Sequence, residues 1–300
     1  MLKVAYNSNY VLPLPEGHRF PMEKYELLKD QLLHEGTISD ENLFSPEEGT
    51  RALAELVHSI EYLDKFTGLK LNKQEERATG FKQSRELVAR EFTIIEGARN
   101  CAQYALENGV AMNIAGGTHH AYVDRGEGFC LMNDHAVAAK WLLSERLAKQ
   151  VLIVDLDVHQ GNGTAKIFED CDDVYTFSMH GKHNYPLRKE KSSLDVEMED
   201  GIGDQPYLAS LRKHLDKVLN EFQPDFLIYQ SGVDVLASDK LGRLNLSLKG
   251  CKERDQIVFS TAKMNNIPTI CSMGGGYSPD IKTIIEAHAN TFRIVQNEFF

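Results

Sequence analysis

Apolar residues in this chain fall into two patterns that alternate along it: short continuous runs, and longer stretches with helical spacing. The runs are VAMNIAGG (110–117), VLIVDLDV (151–158), DVYTFSM (173–179), DFLIYQSG (225–232) and PTICSMGGG (268–276). Each has the length and apolar content of a strand buried on both faces. The clearest helical stretch is Arg85 to Asn108, where Leu87, Ile94, Ile95, Ala98, Ala102 and Ala105 share a face and Gly109 ends the run. Lys3–Tyr6 predicts a short first strand, and GHRFPMEKYELLKDQLLHEG runs from a loop into a helix closed by Gly36. Ser45-Pro46-Glu47-Glu48 predicts an N-cap and first turn for a helix reaching about Lys65, broken near His58. The polar, Gly-punctuated residues 67–84 predict a surface loop.

Strands alternating with helices predict an α/β fold. We expect a single domain over residues 1–300, with three layers: an open, mostly parallel sheet and helices on both faces. Ligands in such folds sit outside the carboxyl ends of the strands. The chain is most unusual there, with Gly116-Gly117-Thr118-His119-His120, Asp155 to Gly163, Ser231-Gly232-Val233-Asp234 and Gly274-Gly275-Gly276-Tyr277 each following an apolar run.

Asp155, Asp157 and His159 alternate at the end of a buried run, which predicts that all three face one side. Taken alone, Asp157 and His159 are as well explained by a helix cap and a core histidine. With Asp234 they make a three-ligand set with an open position, the donor set of a catalytic zinc. His119 and His120 offer two imidazoles for proton handling, and Tyr277 offers a hydroxyl for a developing oxyanion. His18, Arg19 and Pro21 precede the first helix, either as solvated surface or as a buttress to the site.

Composition narrows the function classes. A net charge of −11 without a Lys/Arg cluster argues against a nucleic-acid partner. No run of about 18 apolar residues suggests a membrane span. The five scattered cysteines (Cys101, Cys130, Cys171, Cys251, Cys271) and the absence of a leader pattern at the start lead us to expect free thiols and a cytoplasmic setting.

The stretches GHRFPMEKY, VHSIEYL, GGTHHA, GFCLMND, DLDVHQGNGT, QSGVDVLASDKLGRL and MGGGY together resemble the zinc-dependent histone deacetylase family of the arginase and deacetylase superfamily. HRFPMEKY, DVHQGNG and MGGGY look most like its class IV branch and bacterial relatives. The resemblance implies zinc on Asp157, His159 and Asp234, with His120 as general base and acid, and His119, held by Asp155, as its electrostatic neighbour. It implies that Tyr277 polarises an acyl carbonyl, and that Gly128, Phe129 and Gly275 border a substrate tunnel. It also implies a structural potassium ion on Asp155, Asp157, His159, Ser178 and the backbone of Met179. Residues 180–205 depart from better-known members, which leaves Tyr185 and Leu187 as candidates for the opposing wall.

Two departures bear on the chemistry. Asn162 stands where many members have an Asp beside the histidine corresponding to His120, which gives His120 a neutral partner. Gly161 stands where arginase-like relatives have a further carboxylate ligand, which disfavours a two-metal ureohydrolase. The expected activity is removal of acyl groups from lysine ε-amines in proteins or peptides. The competing readings are a deacetylase of small acylated amines such as acetylpolyamines and a non-catalytic, zinc-stabilised binding module; intact His119, His120 and Tyr277 speak against the latter.

Overall fold

The apolar runs become strands of one sheet, and the order of those strands determines which loops meet. In the computed structural model, which describes residues 1–300, the strands are β1 (Lys3–Ala5), β2 (Leu43–Phe44), β3 (Val110–Asn113), β4 (Val151–Asp155), β5 (Val174–Gly181), β6 (Leu194–Met198), β7 (Phe226–Gln230) and β8 (Thr269–Ser272). They pair in the order β2-β1-β3-β8-β7-β4-β5-β6, every pair parallel. The expected mostly parallel sheet is therefore wholly parallel, and it gains two edge strands that the apolar runs did not reveal. β2 has only two residues, and β6 (LDVEM) carries two acids and is only partly buried. An edge strand has one open side and no need of a continuous apolar run.

The four central strands, β3, β8, β7 and β4, are buried at every residue. Full burial of a Val, Leu or Ile side chain is worth about 1.5–3 kcal/mol, so these strands anchor the core. Two layers of helices enclose them. In one, α5 (Arg85–Asn108) packs on α6 (Asp134–Ser144) and on β1, β3 and β8, and α6 on α7 (Asn162–Ile167); in the other, α10 (Ile281–Phe299) packs on α1 (Lys24–His34) and α9 (Leu248–Met264), and α9 on α8 (Asp204–Phe222).

Two local expectations are corrected. Ser45 starts no helix: its hydroxyl is held by Asn7 Nδ2 at 3.0 Å, and the Gly49 amide donates to Phe92 O at 3.2 Å. The helix begins instead at Arg51, capped by Thr50, and α2 (Arg51–Ala54) stops after one turn before α3 (Ile60–Thr67) restarts behind Ser59. Tertiary hydrogen bonds have overridden a sound local start signal. Residues 67–84 are not simply a loop either. Asn72 caps α4 (Lys73–Thr79) in a capping box with Glu75, and Gly80 ends it at φ 77°. Leu71, Thr79 and Phe81 are buried.

Candidate active site

The loops that follow β3, β8, β7 and β4 emerge side by side because those four strands are neighbours. Of the Asp155–Asp157–His159 series only Asp155 lies in the strand, so pleat alternation does not orient all three. Instead, Asp155 Oδ1 accepts the Asp157 amide at 3.2 Å, and Asp157 Oδ1 accepts the His159 amide at 3.0 Å. These side-chain turns curl the chain off the sheet. Asp157 and His159 thereby face Asp234 from the β7 loop, and their ligand atoms and that of Asp234 all lie within 4.8 Å of one another.

His159 Nδ1 lies 3.0 Å from Asp157 Oδ1 and 3.1 Å from Asp234 Oδ2. Burial would lower this imidazole's pKa, but the two carboxylates outweigh it and raise it to about 10. Burial and the nearby Asp157 push Asp234 up to about 7. Two buried carboxylates sharing one imidazole proton match the needs of a divalent cation, and the Asp₂His donor set suits zinc. The surroundings leave room for little else. A Cβ on Gly275 would strike the carboxylate of Asp234, and one on Gly232 that of Asp157. Gly161, by the same test, lies against the Asp155 carboxylate and 3.1 Å from His119 Nδ1, so no further carboxylate ligand fits there.

The paired histidines are driven apart. His119 Nδ1 lies 2.7 Å from Asp155 Oδ2, and His120 Nδ1 lies 2.7 Å from Asn162 Oδ1, with the two rings 4.1 Å apart. Burial disfavours charge on both. At His119, Asp155 and Asp157 outweigh burial and hold the pKa above its ordinary value. At His120, burial and the positive neighbours His119 and His159 drive it well below. Environment thus shifts the two adjacent imidazoles in opposite directions, His119 toward its charged form and His120 toward its neutral one, the arrangement of an acid–base pair.

Above them opens a cavity of about 290 Å³ lined by His120, His159, Gly128, Phe129, Tyr185, Tyr277, Leu241, Arg19, the end of α4 from Arg77 to Thr79, and its cap Gly80. Phe129 adopts φ 67° and packs against Phe20 and Phe81 at centroid distances of 5.4 and 5.7 Å. Tyr185 lines the same cavity, its ring 5.0 Å from that of His120. Of the two wall candidates Tyr185 lines this cavity, whereas Leu187 is 91% exposed. Gly275 lies deeper, in a small inner pocket with Asp157 and His159. The Tyr277 ring sits 5.9 Å from Phe129 and 6.5 Å from His159, and enclosure with nearby Asp157 and Asp234 keeps its hydroxyl protonated. His18 buttresses this wall, stacking on Phe81 at 5.6 Å and bonding Gly80 O at 2.9 Å. Ser178 pairs with Asp155 across the β4–β5 ladder, with its hydroxyl 2.9 Å from His180 Nδ1, and Met179 follows it in β5.

Sequence reasoning missed the groups behind these side chains. Lys24 is fully buried and donates to Gly274 O at 2.9 Å, bracing the Tyr277 loop; burial lowers its pKa to about 8. Asp134 accepts the amides of Gly117 and Thr118 at 3.0 and 2.8 Å, which positions the histidine pair. Arg254 on α9 donates to the carbonyls of Leu156, Gly232 and Ser231, pinning both ligand loops from behind. Nothing local marks them: a lysine entering α1 or an arginine in α9 reads as solvated until the packing is known. The α4 turn was legible through its capping box, and the carbonyls of Ala78 and Thr79 accept the amides of Gly128 and Phe129 at 2.9 and 3.0 Å.

Residues 18–292 match the histone deacetylase domain family. An uncharacterised protein from Picosynechococcus is 41% identical over 99% of both chains. Histone deacetylase 2 of Arabidopsis thaliana is 29% identical over 95% of this chain and 76% of its own. Among solved structures, an HDAC homologue from Aquifex aeolicus superposes with a TM-score of 0.83 at 22% identity, covering 99% of this chain and 84% of its own. The HDA15 HD domain does so with 0.82 at 21% identity, covering 98% and 90%; both likenesses bear on the fold. Sheet, loops and sequence agree along nearly the whole length: the chain belongs to the histone deacetylase family, and that membership supports a hydrolytic deacetylase activity.

Proposed function

We propose that the protein is a zinc-dependent amidohydrolase that removes acyl groups from lysine ε-amines in proteins or peptides. The observation that carries this reading is the convergence of Asp157, His159 and Asp234 beneath a cavity walled by Phe129, Tyr185 and Tyr277. A zinc ion held by those three residues would polarise the acyl carbonyl and acidify a water. Neutral His120 takes a proton from the attacking water and returns one to the leaving amine. His119, whose charged form Asp155 favours, stabilises negative charge as it develops, and the Tyr277 hydroxyl donates to the oxyanion. Phe129 and Tyr185 flank the acyl-lysine stem.

Arg19 and Arg77 both line the cavity, so a polycationic acetylpolyamine meets like charge there. This favours acyl-lysine over small acylated amines. A structural potassium ion on Asp155, Asp157, His159, Ser178 and Met179 belongs to the same proposal, as does a cytoplasmic setting, supported by five free cysteines.

The test is a panel of acyl-lysine peptides and acylpolyamines incubated with zinc-loaded protein. Acyl release from peptides is expected. Activity on acylpolyamines alone, or on nothing in the panel, would overturn the proposal. Asp157→Ala and Asp234→Ala are each expected to abolish stoichiometric zinc binding, because a three-ligand site does not hold the ion after losing an anionic donor. Full zinc occupancy in either variant would remove that residue from the ligand set.

A further inference from the structure

We propose that Glu127 is a positioning residue that keeps the proton of His120 on Nδ1, acting through the amide of Asn162. The proposal rests on the reading of His120 as the base. An asparagine amide has an acceptor at one end and a donor at the other, and the two are nearly alike in shape. With its oxygen toward the imidazole, Nδ1 carries the proton and Nε2 offers a lone pair. With the NH₂ group toward the imidazole the tautomer reverses, and the base presents an N–H to the reaction centre. Asn162 alone does not choose between these states.

Glu127 makes the choice. Asn162 Oδ1 lies 2.7 Å from His120 Nδ1, while Asn162 Nδ2 lies 2.5 Å from Glu127 Oε1. An ionised carboxylate accepts and does not donate, so the amide nitrogen must face it and the amide oxygen must face the imidazole. The same Glu127 oxygen accepts the Tyr185 hydroxyl at 2.8 Å, which ties the tunnel wall to the orientation of the base. Glu127 is itself held in place: its carbonyl accepts the Cys130 amide at 2.9 Å, and the next residue, Gly128, bonds to α4. Arg125 Nε, 3.7 Å from the other carboxylate oxygen, is its only ion-pair partner. The neutral Asn162 thus acquires the one-way character that a directly bonded carboxylate would have.

This arrangement makes the two substitutions depend on each other. Asn162→Asp alone sets two carboxylates within hydrogen-bond distance of one another, and they repel or must share a proton. The same substitution in a Glu127→Ala background gives His120 an acceptor-only partner with no competitor.

The experiment records ¹⁵N NMR of selectively histidine-labelled protein, with His120 assigned by its loss in His120→Asn, together with kcat and KM on one acetyl-lysine peptide. Wild type should show His120 protonated at Nδ1. Glu127→Ala should move the proton toward Nε2 and lower kcat about 10- to 100-fold, with a smaller change in KM. Glu127→Ala combined with Asn162→Asp should restore the Nδ1 pattern and most of kcat, whereas Asn162→Asp alone should remain the slower of the two. A wild-type tautomer and kcat in Glu127→Ala would overturn the proposal, and so would failure of the double variant to recover both. Wild-type protein inactive on every acyl-lysine peptide would remove the deacylase reading, and the tautomer measurement would still decide the role of Glu127.

Discussion

Tyr277 reaches the site from a glycine-rich loop and keeps its proton because enclosure and two neighbouring carboxylates oppose the phenolate. A protonated phenol donates to an oxyanion and does little for a neutral carbonyl, so its contribution falls on the transition state. Tyr277→Phe keeps the ring that packs on Phe129 and removes only the donor. We expect kcat to fall about 100- to 1000-fold, the usual cost of losing one oxyanion donor, with zinc stoichiometry unchanged. Wild-type turnover in the variant would remove the hydroxyl from the chemistry. His119, His120 and Tyr277 stand out in the sequence because polar residues rarely interrupt buried runs. Glu127 does not stand out, since an acid in the loop DRGEGF looks like solvated surface. Its part emerges only when Asn162, 35 positions later, is seen bonded to it.

Helices were legible where one apolar face faces the sheet, as in α5, and misread where local and distant partners compete, as at Ser45. The contact between α1 and α10 depends on such a distant pair. Arg293 on α10 reaches the end of α1 and forks onto Glu35, Nε to Oε1 at 2.9 Å and Nη2 to Oε2 at 2.6 Å. The Arg293 guanidinium outweighs partial burial and lowers the Glu35 pKa from 4.5 to about 2. A carboxyl depressed on folding adds stability that is fully present above its unfolded pKa of 4.5 and is lost as pH falls toward 2. Glu35→Gln should therefore cost about 1–2 kcal/mol at pH 7, the worth of a bidentate charged pair discounted for partial exposure. The difference from wild type should shrink as pH approaches 2. Thermal denaturation of both proteins between pH 7 and pH 2 checks this, and a gap that persists unchanged to pH 2 would assign the effect to something other than the Glu35 charge.

Across the whole molecule, the zinc reading makes the metal part of the folded state. Chelation leaves the buried Asp157 and Asp234 repelling each other with only His159 between them, so the melting temperature should drop on metal removal and recover when zinc is restored. An ion present at about 1,000 times its dissociation constant stabilises by about 4 kcal/mol. Asp157→Ala and Asp234→Ala should melt alike with and without chelator. A wild-type melting temperature indifferent to chelation would argue against a resident ion. By itself, the sequence determined the α/β class and the carboxyl edge that carries the chemistry, because burial of a strand on both faces and the period of a helix are local constraints on residue type. It also determined the candidate ligands, since Asp157, His159 and Asp234 interrupt or follow buried runs. The tertiary structure alone decided that β3, β8, β7 and β4 are neighbours, that Lys24, Asp134 and Arg254 brace their loops, and that Glu127 orients Asn162. Those relations join residues far apart along the chain, and strand order and packing bring them within hydrogen-bond reach.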